Sequence, residues 1–328
     1  MAELVLGFAS SHGPQLSVPG ENWSVFGEKD QNDRRMDYQA LLARNLPGLD
    51  EQITIERMQA RYEHCQMSMD ALRRKVASVA PDVMIVIGDD QHEQFLDGNM
   101  PMFSIYYGES LLTLSRRRAP RPSPIASGAG GGPMAWQQAQ ESPTPEREFP
   151  AHAELARHLI KSMIDQDVDI GTSNELNPDI GVGHAFTFLY RYITPEGNIP
   201  IVPFSVNTFF KPNQPTPGRC FDVGRALRRA IDEWDSPARV AVMASGGLSH
   251  VILDEEIDHM TLDALRTHDE AALRALPVDR LDLGTSEIRN WVMLAGVVED
   301  KAMDLIAYEP CYRSLAGTGC AMGFATWE

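Results

Sequence analysis

The sequence has few basic residues for its length. Its 328 residues include 29 lysines and arginines against 46 aspartates and glutamates, which gives a formal net charge of −17. The phosphate backbone of a nucleic acid and the anionic surface of a membrane both attract dense clusters of lysine and arginine. The charge therefore argues against both kinds of partner. It does not exclude a local basic pocket for a small acidic substrate.

Long hydrophobic runs are also missing. A membrane-spanning helix needs roughly 20 consecutive apolar residues, and no run in the sequence approaches that length. The first residues, MAELVLGFASSHG, carry an acid where a signal peptide carries positive charge. We therefore expect a cytoplasmic protein without a membrane partner.

Paired cysteine motifs are absent as well. The four cysteines include no CxxC pair, so a thiolate zinc site is not indicated, and free thiols are expected. The glycine cluster at 128–132 is not followed by the Lys-Ser/Thr pair of a phosphate-binding loop.

Short apolar runs alternate with segments of helical spacing. Residues 3–9, 83–88 and 238–244 have the character of buried strands and 167–171 is strand-like, while 34–48, 63–79 and 220–234 repeat apolar residues at helical intervals, and a glycine-rich tail follows residue 299. This order predicts an α/β fold with a central mixed sheet flanked by helices. We expect one catalytic domain over residues 1–328.

Residues 116–150 interrupt this alternation. They contain three consecutive arginines, several prolines and the glycine cluster, with few aliphatic residues. A stretch of this length without regular structure is unusual inside a domain. Because strands and helices resume after it, we interpret it as a loop of the same domain. It is either a lid over the mouth of a site or disordered.

Three histidines occupy the same relative position in the predicted sheet. His12, His92 and His250 each lie just past the end of an apolar strand, in a loop rich in glycine, serine or aspartate. In open α/β sheets, ligands bind outside the carboxyl ends of the strands. The three imidazoles are therefore candidates for one shared pocket, while each alone is also compatible with a turn cap.

A metal ion is the natural reason to gather imidazoles in an acidic protein. Two histidines and one carboxylate on one face leave coordination positions open, which suits non-haem Fe(II) and oxygen chemistry. Glu287 is the carboxylate that we select, because it begins a predicted helix after the cap-type residues Gly284 to Ser286. The alternative is that Glu287 caps its own helix or interacts with the helix dipole.

Six ordered motifs carry a resemblance to a known family. They are Ala9-Ser-Ser-His12, Ile87-Gly-Asp-Asp-Gln-His-Glu93, Val182-Gly-His184, Pro203-Phe-Ser-Val-Asn207 with Pro217-Gly-Arg-Cys-Phe221, Ser245-Gly-Gly-Leu-Ser-His250 and Glu287-Ile-Arg-Asn-Trp291. Together they resemble the class III (type II) extradiol ring-cleavage dioxygenases, typified by the catalytic β subunit of protocatechuate 4,5-dioxygenase. Within that superfamily the sequence is most similar to the 3-O-methylgallate 3,4-dioxygenase type.

The resemblance implies roles for individual residues. His12 would be the first iron ligand and Glu287 the carboxylate ligand, with His250 as the acid/base. His184 would be a hydrogen-bond partner of substrate or oxygen, or else a supporting residue behind the ligands.

The second histidine ligand is where this sequence departs from the family. Counted back from Phe95, the family histidine aligns without a gap to Gln91, and His92 follows one residue later. We select His92, because imidazole binds Fe(II) far better than an amide does.

The implied activity is that of an Fe(II) extradiol dioxygenase. It would insert both atoms of O2 into a catechol-type ring such as protocatechuate, gallate or 3-O-methylgallate, in the catabolism of lignin-derived aromatics. The expected partners are a small aromatic diol and O2, in a homodimer. The alternatives are a zinc-dependent homologue, and a non-catalytic homologue that binds a small aromatic in the same cavity. Candidates for binding a substrate carboxylate are Lys211, Arg219, Tyr312, Arg313 and Thr318.

Overall fold

The computed structural model describes residues 1–114 and 146–328. In these ranges the chain forms one large mixed sheet and a separate two-stranded ribbon. The strands are β1 (Glu3–Ser10), β2 (Val83–Asp89), β3 (Phe103–Tyr106), β4 (Ser110–Thr113), β5 (Arg147–Pro150), β6 (Gly171–Ser173), β7 (Ile201–Val206), β8 (Arg239–Ser245), β9 (His250–Ile252), β10 (Met303–Tyr312) and β11 (Thr318–Trp327). The ribbon consists of β4 and β5.

The strand order of the large sheet is β10-β11-β1-β8-β2-β7-β3-β6, and β9 pairs with β11. Its centre is parallel, because β1 pairs with β8, β8 with β2, and β2 with β7 in the same direction. The pairs β1–β11 and β3–β7 are antiparallel. Four parallel strands therefore end at one edge of the sheet, where ligands bind in folds of this kind.

Helices cover both faces of the sheet. They are α1 (Ser24–Asp30), α2 (Tyr38–Ala43), α3 (Leu49–Gln52), α4 (Ile55–Val79), α5 (Ala153–Asp165), α6 (His184–Phe188), α7 (Pro217–Asp232), α8 (Glu255–Thr267), α9 (Glu270–Arg274) and α10 (Ile288–Val297). Short 3₁₀ turns span Pro14–Ser17, Gly20–Asn22 and Leu283–Glu287, and a π-helical turn spans Leu189–Ile193. No helix in the described part of the chain is both long enough and apolar enough to cross a membrane.

Strand β2 contributes side chains to two hydrophobic clusters, one on each face of the sheet. All seven of its residues are buried. Ile85 and Ile87 belong to the cluster that includes α7 and α10, whereas Met84 and Val86 belong to the cluster that includes α4. Successive side chains of a strand point to opposite faces, so a continuous apolar run is what a strand covered on both faces requires. The predicted α/β fold with a central mixed sheet is confirmed.

Several element boundaries differ from the sequence expectations. The helix expected over 34–48 is reduced to α2, and the strand expected over 167–171 appears only as β6. The glycine-rich tail forms β10 and β11, and every residue of β11 is buried. Within the 116–150 segment, residues 147–150 form β5, so that part of the predicted loop is a strand. Residues 116–145, and with them the proposed lid, lie outside the described residues.

The four cysteines are all free, as expected from the sequence, and all four are buried. Cys65 on α4 and Cys311 on β10 approach each other, with 3.9 Å between their sulfur atoms.

Candidate metal centre

The ends of three neighbouring parallel strands lie at one edge of the sheet. His12 follows β1 by two residues, Asp89 is the last residue of β2, and Gly246 follows β8 directly. Because these strands lie side by side, the loops after them meet in space. His12, Asp89 and Gly246 therefore lie close together at this edge.

Hydrogen bonds fix the imidazole of His12 in one orientation. Its Nδ1 lies 3.1 Å from the hydroxyl of Ser245, and that hydroxyl donates to the carbonyl of Ala185 at 2.7 Å. Since the serine proton is used on Ala185, the serine oxygen accepts from His12 Nδ1–H. The lone pair of His12 therefore lies on Nε2, the nitrogen that faces the carboxylates.

Glu287 lies between two imidazoles in a fully buried position. Its Oε2 is 3.4 Å from His12 Nε2 and accepts the backbone N–H of Gly247 at 2.8 Å. Its Oε1 is 3.2 Å from Nε2 of His250, whose Nδ1 donates to the carbonyl of Leu248 at 2.9 Å. The Glu287 side chain makes no capping bond to its own helix, so the capping alternative does not describe this structure.

A second group joins Asp89, His184 and Glu93. His184 is the first residue of α6, and its backbone N–H and its Nδ1 both bond to the carboxylate of Glu93, each at 2.8 Å. Its Nε2 then faces Asp89 Oδ2 at 3.8 Å. Asp89 Oδ1 lies 3.9 Å from His12 Nε2 and has no hydrogen-bond partner although it is fully buried.

The two glycines after β8 make this close packing possible. A side chain at Gly246, where φ is +101°, would place its Cβ 2.3 Å from Glu287 Oε2 and 2.9 Å from His12 Cε1. At Gly247 a Cβ would lie 3.0 Å from Nε1 of Trp291. The indole N–H of Trp291 donates a hydrogen bond to the carbonyl of Gly246. Glycine also tolerates the positive φ at both positions.

Burial and neighbouring charges shift the pKa values of the imidazoles in opposite directions. Burial lowers the pKa of His12 to about 4, against the opposing effect of Glu287. Burial also acts to lower the pKa of His184, but Glu93 and Asp89 outweigh it and raise the value to about 10. In the same way Glu287 overcomes burial and raises the pKa of His250.

The pKa values of the two buried carboxyl groups are also shifted in opposite directions. Burial, reinforced by the negative charge of Glu287, raises the pKa of Asp89 to about 7. Burial would raise the pKa of Glu287 too, but His250 and His12 lower it to about 2. Strong shifts of this kind in adjacent buried groups are typical of functional sites.

The structure does not bring His92 to this cluster. Its ring stacks on Phe210 with 3.7 Å between centroids, and its Nε2 lies 3.0 Å from Asp97 Oδ1. Its neighbour Gln91 faces the cluster instead, with its amide nitrogen 3.1 Å from Asp89 Oδ2 and 3.5 Å from Glu287 Oε1. Of the five predicted site residues, the structure gathers His12, His184, His250 and Glu287.

Three of the five residues proposed for a substrate carboxylate are engaged elsewhere. Arg313 is buried and paired with both oxygens of Asp30, and Lys211 pairs with Asp282. The hydroxyl of Tyr312 donates to Glu255.

The donor set of this cluster fits a divalent metal ion. One ligand atom each from His12, Asp89 and His184 lies within 4.8 Å of the other two. Two ligands that bind one cation at about 2.1 Å are at most about 4.2 Å apart, so the most distant pair would close by roughly 0.6 Å. Imidazole and carboxylate donors without thiolate suit Fe(II), and the partnerless Asp89 Oδ1 is the kind of atom that a cation satisfies.

Sequence reasoning overlooked Asp89 and Glu93 as site residues, and it selected His92 over Gln91. Asp89, Gln91 and Glu93 all lie in the Asp89–Glu93 segment, directly after the most clearly apolar strand. The signal was present in the strand-end position, but attention to histidine alone passed over the carboxylates.

Comparisons with known proteins identify the family of the chain. A family model described as the catalytic LigB subunit of aromatic ring-opening dioxygenase matches residues 54–321. Gallate dioxygenase of Pseudomonas putida is 28% identical over 160 residues, which cover 45% of this chain and 46% of that protein. The 2,3-dihydroxyphenylpropionate/2,3-dihydroxicinnamic acid 1,2-dioxygenase of Comamonas testosteroni is 26% identical over 217 residues, covering 66% and 54%. The chain spans about half the length of the curated relatives it matches.

Proposed function

Because the chain belongs to the family of catalytic LigB subunits of aromatic ring-opening dioxygenases, we propose that it is an Fe(II)-dependent extradiol dioxygenase. It opens a catechol-type ring and inserts both atoms of O2. Protocatechuate, gallate and 3-O-methylgallate are the candidate substrates, as products of lignin breakdown. The names of the relatives, which refer to gallate and to dihydroxyphenyl acids, support an aromatic diol as the substrate class.

One observation carries this proposal. Imidazoles from the loop after β1, from α6 and from the first residue of β9 meet two buried carboxylates at the carboxyl edge of the parallel strands. We place the metal beside His12 and Glu287, the two predicted ligands whose atoms approach to 3.4 Å. His92, the third ligand expected from the sequence, would have to leave its stack on Phe210 to join them.

The bound Fe(II) would supply the Lewis acidity and the redox chemistry of ring opening. The protein supplies position and proton transfer. His250 donates Nδ1–H to Leu248, so Nε2 is the nitrogen that takes a hydroxyl proton from the diol and later returns it. His184, held by Glu93, presents its Nε2 to the same space.

The cluster lies in a buried environment, which strengthens the electrostatic interactions of its charged groups. Asp89 and Glu287 are fully buried, and Phe188 lies against His12 with 6.1 Å between ring centroids. Electrostatic interactions are stronger in such a water-poor site than in solvent. The diol would therefore lose its proton next to preoriented groups that need little rearrangement.

Anaerobic reconstitution with Fe(II) tests the proposal. The protein would be loaded with Fe(II), and its iron content measured before catechol, protocatechuate, gallate and 3-O-methylgallate are added separately. We expect oxygen consumption at an oxygen electrode and a yellow ring-opened product with at least one diol. Stoichiometric iron without oxygen consumption on any diol would contradict the proposal.

A non-catalytic or zinc-dependent homologue is the second candidate. The observation that favours it is Gln91, which faces the cluster where the family has a histidine ligand. Metal analysis of protein as purified distinguishes the two candidates. Zinc occupancy, with tight binding of an aromatic and no oxygen consumption, would favour this one.

The cytoplasmic location and the homodimer expected from the sequence are part of the proposal. Light scattering after size-exclusion chromatography measures the mass in solution. A value near twice 36.4 kDa is expected, and a value near 36.4 kDa would contradict the homodimer.

A further inference from the structure

We propose that His184, oriented by Glu93, and not His92, supplies the second imidazole ligand, so that the metal lies among His12, Asp89 and His184 with Glu287 beside it. The inference rests on the metal requirement of the proposed function. It concerns which histidine of this chain joins His12 at the metal.

The first argument is the way His184 is held. Both its backbone N–H and its Nδ1 bond to Glu93 at 2.8 Å, which leaves Nε2 as the free nitrogen. Metal-ligating histidines almost always bond through their other nitrogen to a carboxylate, a carbonyl or a water, which fixes the ring and its tautomer. The Glu93–His184 pair has that arrangement, and the free nitrogen points toward Asp89, 3.8 Å away.

The second argument is the unpartnered oxygen of Asp89. This carboxylate is fully buried and its Oδ1 has no hydrogen bond. His12 Nε2 lies 3.9 Å from Oδ1, and His184 Nε2 lies 3.8 Å from Oδ2. A buried carboxylate oxygen without a partner is costly. A cation bound between the two imidazoles would satisfy it and would complete a set of two histidines and one carboxylate.

The third argument is that the backbone is shaped for this approach. A Cβ at Gly183 would lie 2.7 Å from Glu93 Oε2, and a Cβ at Gly88 would lie 2.8 Å from the Cβ of Ala185. These two glycines let α6 pack against the end of β2 and against Glu93. The same helix holds His12, because Ser245 bridges His12 Nδ1 and the carbonyl of Ala185. The two imidazoles are thus positioned by one connected set of bonds.

The position of His92 argues against its direct participation. Its ring lies flat against Phe210 at an interplanar angle of 10°, and His92 itself has a positive φ of +62°. Rotating the imidazole into the cluster would break this stack and would displace Gln91, whose amide already contacts Asp89 and Glu287.

Metal binding measured without turnover tests the inference. Co(II) would be titrated anaerobically into the intact protein and into H184Q, H92Q and E93Q, with absorbance as the readout. We expect H184Q to weaken Co(II) binding about 100-fold or more, and E93Q to weaken it about 10- to 100-fold through loss of the orienting bond. H92Q, the matched control, should bind Co(II) within about twofold of the wild type.

A count of nitrogen ligands separates ligation from a folding defect. Pulsed EPR of the Cu(II)-loaded protein reports how many imidazoles bind the metal. Two are expected in the wild type and in H92Q, and one in H184Q, with unchanged circular dichroism in all three. Two imidazoles in H184Q, or loss of one in H92Q, would overturn the inference while leaving the dioxygenase proposal intact. Failure of the wild type to bind Co(II) and Fe(II) would instead overturn the metal requirement of the proposed function.

Discussion

Gly246 is the residue at which the packing of the cluster leaves no space for a side chain. Its backbone lies between His12 and Glu287, and its φ of +101° is unfavourable for any residue with a Cβ. The backbone N–H of the neighbouring Gly247 donates a hydrogen bond to Glu287 Oε2, so a shift of this backbone also moves the carboxylate. The two glycines therefore determine the positions of the site residues as well as the conformation of the turn.

Gly246→Ala should accordingly impair metal binding. The added Cβ would meet Glu287 Oε2 at 2.3 Å and His12 Cε1 at 2.9 Å, which forces one of them to move. Misplacement of a ligand by about 1 Å can cost roughly 100-fold, and we expect a loss of that size in Co(II) affinity. Gly98→Ala is the control, because a Cβ there meets no atom within 4 Å. Equal affinities in the two variants would show that the close approach is not required.

His250→Gln should separate proton transfer from metal binding. The imidazole faces Glu287 Oε1 at 3.2 Å and is not among the three residues we place around the cation. Loss of a general acid or base typically costs 10²- to 10⁴-fold in rate, so turnover with the active diol should fall by about that factor.

The iron content of His250→Gln should stay near that of the wild type. His268→Asn controls for the loss of an imidazole elsewhere, because His268 is exposed and follows α8 with a positive φ, which asparagine tolerates. Loss of iron in His250→Gln would assign His250 to the ligands instead.

At the level of elements, the strands that build the site were the most predictable part of the molecule. Apolar runs such as 83–88, in the strand β2 whose residues are all buried, leave a strong signal in the sequence. The residues after them could be placed at one edge because parallel strands share their direction. That reasoning located His12 and the Asp89–Glu93 segment, and it could not decide between Gln91 and His92.

The choice between those two residues depends on one backbone turn. Side chains on either side of a peptide unit point in different directions, so a shift of one residue exchanges the side chain that faces the cluster. The positive φ of His92 and its stack on Phe210, which follows β7, set that direction. Both are tertiary features, which local sequence patterns do not encode.

The C-terminal hairpin was missed for a different reason. Strand β11 has many small residues and lies between β10 and β1, so it is buried along its whole length. It shows neither the alternation of a half-exposed strand nor the bulky apolar run of a typical central strand. Its glycines instead suggested an irregular tail.

The contact between α7 and α10 gives a prediction at the same scale. Here two helices cross at glycine, since a Cβ at Gly224 would lie 2.0 Å from the carbonyl oxygen of Met293, and a Cβ at Gly296 would lie 2.2 Å from that of Phe221. Gly224→Ala should lower the free energy of unfolding by about 3 kcal/mol, because overpacking against backbone cannot be relieved by a rotamer change.

Urea unfolding followed by circular dichroism measures this change. The α10 helix begins directly after Glu287, so displacement of the helix should also weaken Co(II) binding. Gly98→Ala again serves as the control, and its unfolding midpoint should match the wild type. An unchanged midpoint in Gly224→Ala would mean that the helices can separate without loss.

At the scale of the whole molecule, one buried carboxyl group links the stability of the fold to pH. Asp258 on α8 is fully buried and receives the N–H and hydroxyl of Ser249, at 2.8 and 2.6 Å, and the hydroxyl of Tyr308 at 2.9 Å. It therefore joins the loop before His250 to α8 and β10. Burial raises the pKa of Asp258 to about 6, although these hydrogen bonds oppose the shift.

The sign of the pH effect follows from that shift. Between the ordinary value of 3.8 and about 6, the folded protein holds a proton on Asp258 that the unfolded chain releases. The contribution of this group to stability is therefore complete below about pH 4 and is lost as the pH rises through 6. A shift of about two units corresponds to roughly 3 kcal/mol.

Asp258→Asn should remove this dependence, because an amide keeps the acceptor for Ser249 N–H and cannot ionise. Its free energy of unfolding relative to the wild type should rise by about 2 kcal/mol between pH 4.5 and 7.5, measured by urea denaturation in the presence of a metal chelator. Asp263→Asn on the same helix is the matched control, since Asp263 is exposed and pairs only with Arg266 among the contacts described. A constant difference between Asp258→Asn and the wild type across this range would mean that Asp258 ionises as easily in the folded protein as in the unfolded chain.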